Sequence, residues 1–145
     1  MAKEIWLACF GGFSYFTLEL IYNGNSHWIS FVFGSICFEI VGKIRLLNLN
    51  MLIKCLFSGI FITIFEFFMG IIFNLILNWN MWNYSMFFLN ISGQICLYFS
   101  LIWTILSFPA IKLHQILSQA INPAQGCKKC GSKPKALSYK IKQAQ

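Results

Sequence analysis

The stretch "FITIFEFFMGIIFN" (Phe61–Asn74) decides the class of this protein, because it sets one acid, Glu66, inside a run that is otherwise almost wholly apolar. The run extends to about Met51 on one side and Leu77 on the other, more than the roughly 20 residues a helix needs to cross a bilayer. Three further runs of this kind lie at about 5–22, 28–46 and 89–113. The second reaches spanning length only if Lys43 and Arg45 snorkel to the interface. None alternates apolar and polar residues as a barrel strand does, so each reads as a helix. The composition agrees: 58% of the 145 residues are hydrophobic and 10% charged, against about 25% charged in soluble domains. The expected fold class is all-α: a polytopic membrane protein with four transmembrane helices, a transmembrane domain over 1–118 and a basic tail over 119–145.

Charge gives the expected orientation. Lys3 precedes the first run, Lys43, Arg45 and Lys54 flank the link between the second and third, and the other seven basic residues end or follow the fourth. The remaining links, "NGNSH" and "NWNMWNYSMFF", carry no Lys or Arg. All eleven basic residues therefore fall on one side of a four-span chain, and the positive-inside rule makes both termini cytoplasmic. Tyr22, Trp28, Trp79, Trp82 and Tyr84 gather at the opposite edge, where amphipathic rings settle. No A-x-A-like site follows the first run, which argues against a cleaved signal peptide. The expected location is the cell membrane, bacterial inner or cytoplasmic, with the bilayer itself as the first partner.

Within the spans, polar residues are expensive and therefore informative. Gly59, Thr63, Glu66, Gly70 and Asn74 recur at three- and four-residue steps and share one helical face. The fourth run answers with Asn90, Gly93 or Gln94, Leu97, Ser100, Thr104 and Ser107. Glu66 lies about fifteen residues, roughly 22 Å, from the inner end of its span, level with Glu19, Asn90 and Gln94. Glu19, Glu66, Asn74, Asn90 and Gln94 are thus expected to share one polar pocket in the outer half, with His27 reaching Glu19 across the "YNGNSHW" hairpin. The plainer reading of Asn74, Asn90 and Gln94 is as amides that fasten helices together. Glu39, four residues before Lys43 and with Lys54 as a second candidate partner, reads as a structural ion pair.

In "GCKKCGSKPK" the C-x-x-C pair Cys127 and Cys130 has the shape of half a zinc knuckle. A reducing cytoplasm favours free thiols over a disulfide, so zinc is the candidate cofactor, held by two pairs in a dimer or with His114. The alternative is a basic tail lying on anionic lipid. Cys9, Cys37, Cys55 and Cys96 read as small buried hydrophobes.

Three stretches, "LELIYNGNSHWISFVFGSICF" (Leu18–Phe38), "FEFFMGIIFNLILNWNMWNYS" (Phe65–Ser85) and "FLNISGQICLYFSLIWTILSFPAI" (Phe88–Ile111), resemble the ABC-transporter permease family of the CmpB type, which includes the transmembrane 229 proteins. The family pattern falls here on Glu19, on Gly24, Ser26, His27 and Trp28, on Glu66, on Trp82, Tyr84 and Ser85, and on Gly93, Gln94, Ile95, Cys96 and Leu97. The chain departs from it at Asn83, where the family carries Asp, and the cysteine pair lies outside it. The resemblance implies a four-helix bundle serving as a transporter component.

No G-x-x-x-x-G-K-[ST] phosphate loop or other complete catalytic motif is present, so an enzyme is not expected. A transporter would need a separate ATP-binding subunit, and four spans would assemble at least as a homo-oligomer to form a path. The alternative is a stand-alone small channel, lipid-binding scaffold or membrane sensor. The tail has no folded motif or aromatic platform for nucleic acid, and none is expected as a partner.

Overall fold

A computed structural model describes residues 2–121. Helix α1 spans Ala2–Asn23, α2 Trp28–Ile44, α3 Met51–Gly70 and α4 Leu97–Ile121. A π-helical turn over Ile71–Ile76 prolongs α3, and a two-stranded antiparallel ribbon, β1 (Asn90–Ile91) with β2 (Ile95–Cys96), precedes α4. The first and third spans run close to their expected bounds, and α2 ends at Ile44 rather than at residue 46. The fourth expectation is corrected: the helix begins at Leu97, not at 89, and runs to Ile121, beyond the expected boundary at 118. Leu89, Ser92 and Gly93 all take positive φ, a left-handed conformation that no α-helix accommodates. The same turn adds a scrap of sheet to an otherwise helical chain. Three of the helices are long and apolar enough to cross a membrane, α1, α3 with its π extension, and α4; α2 is shorter, at 17 residues.

The bundle is two helical hairpins, α1 against α2 and α3 against α4, with α2 also touching both helices of the second pair. Close approach requires small residues. A Cβ on Gly12 would sit 2.6 Å from the Phe31 carbonyl oxygen, and one on Gly59 would sit 2.8 Å from Cα of Thr104. The core is Phe33, Cys37, Val41, Cys55, Ile62 and Ile111. The outer surface is apolar in its turn, with Leu52, Leu56, Phe68, Leu101 and Ile105 all exposed, as a lipid-facing surface demands. Lys54 Nζ donates to the Arg45 carbonyl at 2.8 Å, closing the α2–α3 turn, and one Glu39 oxygen, Oε1, is buried without a hydrogen bond.

Candidate functional site

The chain from Leu77 to Cys96 folds back over one end of the bundle, and Asn74 holds it there. Asn74 Nδ2 donates to the Trp82 carbonyl and to Gln94 Oε1, each at 2.9 Å, while its Oδ1 accepts the Met81 N–H at 2.7 Å. Gln94 Nε2 donates to the Ser92 carbonyl, and Trp82 Nε1 donates to the Gln94 carbonyl at 3.0 Å. Asn90 Nδ2 donates to the Ser85 and Phe87 carbonyls, and its Oδ1 accepts from Gly93 N–H. The three amides are thus satisfied by backbone and by one another, and their work is to shape the segment. Asn83 belongs to it too: its Oδ1 accepts the Ser85 N–H at 2.9 Å, an Asx turn that an aspartate would make equally well.

The acids Glu19 and Glu66 take a different place. Glu66, 2% exposed, accepts from the Tyr84 hydroxyl on Oε1 and from Trp103 Nε1 on Oε2, each at 2.9 Å. One carboxylate therefore ties α3 to the overlying segment and to α4. Burial, and next the charge of Glu66, push the Tyr84 phenol well above its ordinary range, so it remains a donor. Tyr84 stacks on Phe99 at 4.5 Å, and Trp103 lies 5.8 Å from the Tyr15 ring. These rings, with Tyr22, Trp82 and Phe87, wall a cavity of about 400 Å³ between α1, α4 and the overlying segment. Half-buried Glu19 stands in the same wall. It accepts a 2.6 Å bond from the Ser26 hydroxyl.

The expected shared pocket is therefore divided. Glu19 lines the cavity and Glu66 stands behind two of its rings, whereas Asn74, Asn90 and Gln94 build the segment that roofs it. His27 lies against Trp79 at 4.6 Å and Trp28 at 5.8 Å, with Nδ1 buried and unpartnered; Ser26 is the hairpin residue bonded to Glu19. The stripe on α4 acts by size: the Ser100, Thr104 and Ser107 hydroxyls turn back to the carbonyls of Cys96, Ser100 and Trp103. Of the two groups that hold Glu66, Trp103 is the one that sequence reasoning missed. An indole N–H deep in an apolar run requires an acceptor, and Glu66 was the available one.

Cys127 and Cys130 lie outside the described residues. His114 points into the bundle, its ring 5.1 Å from Phe38 and both nitrogens without partners. Among the described residues no three His, Cys, Asp or Glu side chains group as a metal site would need.

No curated protein and no solved structure matches the chain. A family profile described as "Putative ABC-transporter type IV" matches residues 6–128, a stretch that takes in α2, α3, α4, all but the first four residues of α1, and the segment that roofs the cavity. The chain belongs to that family.

Proposed function

We propose that the protein is the permease-like membrane component of an ABC transport system, and that the cavity between α1, α4 and the Leu77–Cys96 segment is its substrate site. The observation that carries the site is Glu66: a buried acid held by Tyr84 and Trp103 is expensive in an apolar bundle, and here it orders the walls of a cavity. At about 400 Å³ the cavity falls within the size range of small-molecule sites, roughly 300–1,000 Å³. The chain crosses the cytoplasmic membrane four times, with α2 completed by the snorkelling of Lys43 and Arg45. Both termini are cytoplasmic and the cavity faces outward, in keeping with the one-sided basic residues. The chain is not itself an enzyme; an ATP-binding subunit supplies the energy, and two or more copies assemble with it.

Native mass spectrometry of the tagged chain, gently extracted from its own membranes, tests this. An ATP-binding protein co-eluting at fixed stoichiometry is the expected result. A homo-oligomer alone would overturn the transporter reading in favour of a stand-alone channel, scaffold or sensor. Topology is tested separately: a cysteine at Asn80 should react with an impermeant maleimide from outside intact cells, and reaction only after lysis would refute the orientation.

A further inference from the structure

The aromatic cavity continues inward. A second cavity of about 230 Å³ shares Tyr15, Leu18, Trp103 and Leu106 with it. It follows α4 to Leu113, about 15 Å beyond Trp103 at the helical rise. Its wall is almost entirely apolar and includes Val41, Ile62 and Pro109. The two spaces therefore differ in chemistry along one continuous wall. The upper one is faced by aromatic rings and the Glu19 carboxylate, with no Lys, Arg or His among the described residues that line it. Tyr84 and Trp103 each donate a hydrogen to Glu66, which makes their rings richer in electrons. Electron-rich rings around a carboxylate attract an ammonium ion, and an alkylated ammonium above all, because its hydration is weak. An anion would meet Glu19 with no cation among the described lining residues to offset it. The apolar groove below would bury a hydrocarbon chain.

We propose that this site takes a cationic amphiphile, its alkylammonium head in the aromatic cavity and its hydrocarbon chain in the groove along α4. The inference rests on the reading of the cavity as the ligand site. Two sources carry this chemistry: a membrane lipid with an ammonium headgroup, and a free single-chain ammonium compound.

The test uses the full chain in nanodiscs of digalactosyl diacylglycerol, a bilayer lipid with neither charge nor ammonium. Dodecyltrimethylammonium and its neutral isostere, with a tert-butyl head, are titrated while tryptophan fluorescence is read. The cation should bind at least about 30-fold more tightly, the factor expected of a desolvated cation–π contact. Glu19→Gln should remove much of that preference, read as the ratio of the two affinities in the same variant. Equal binding of the two probes, or an undiminished preference in Glu19→Gln, would overturn the inference while leaving the cavity a ligand site. Binding of neither probe would overturn both. With the preference established, phosphatidylcholine added to the discs names the source: a weakened apparent affinity identifies the bilayer lipid as occupant, and an unchanged one identifies the free cation.

Discussion

Glu66→Gln and Glu66→Leu should part company sharply, and the reason lies in which groups can reverse their roles. Trp103 Nε1–H is a donor only, so a glutamine must turn its carbonyl oxygen toward the indole. Its amide then faces Tyr84, whose hydroxyl can accept as readily as donate. Both contacts, now at 2.9 Å, survive with the charge removed, and Glu66→Gln should change stability by less than about 1 kcal/mol. Leucine offers nothing to either group. It orphans the Trp103 N–H and the Tyr84 hydroxyl in a buried site, each at about 1–3 kcal/mol, of which better burial of an apolar side chain returns part. A net loss of about 2–4 kcal/mol is expected, read from denaturant unfolding in lipid-like detergent with tryptophan emission as the signal. If Glu66→Leu proves as stable as Glu66→Gln, the carboxylate does not hold the cavity wall together and the reasoning fails.

Asn74→Leu removes three hydrogen bonds, each worth about 0.6–1.7 kcal/mol in a membrane setting; limited proteolysis within 77–96 should accelerate, and an unchanged rate would show that the segment is held by other means. Gly59→Val should cost about 1–3 kcal/mol. Thr104→Ala should not rescue it, since the Thr104 backbone stands in the way; rescue measured in the same unfolding assay would contradict the packing. With Cys127 and Cys130 replaced by Ser, half-buried Cys9 should react with maleimide faster than buried Cys37, Cys55 and Cys96, and labelling of Cys96 first would refute its burial at the end of the ribbon.

Most of the architecture was legible in hydropathy because lipid-facing and core-facing surfaces are both apolar, so helices of spanning length show themselves as long runs. The start of α4 was not, because hydropathy is blind to backbone conformation. The "ISGQI" stretch (Ile91–Ile95) is apolar enough to pass for helix, and only the Ser-Gly pair at 92–93 hints at the turn that Leu89, Ser92 and Gly93 make. That shift moved Asn90 and Gln94 off the helical face on which their sequence spacing had put them. Counting along a helix put Glu19 and Glu66 at one level; in the structure Glu19 lines the cavity and Glu66 bonds two of its rings. Their partners did not follow from it. Tyr84 and Trp103 lie 18 and 37 residues from Glu66, and which ring meets a carboxylate across that distance is a matter of how α3, α4 and the segment between them pack.

The central claim is that an accessible cavity reaches Trp103 inside an apolar bundle. Fluorine NMR of the fluorotryptophan-labelled chain in nanodiscs tests it most directly, with each of the five tryptophans assigned by single replacement with Phe. The account predicts that a water-soluble nickel chelate broadens Trp103 along with Trp82, although Trp103 stands about 9 Å, six residues, inside α4. A Trp103 resonance untouched by the chelate but broadened by lipid-soluble oxygen would place that ring against the bilayer and contradict the account.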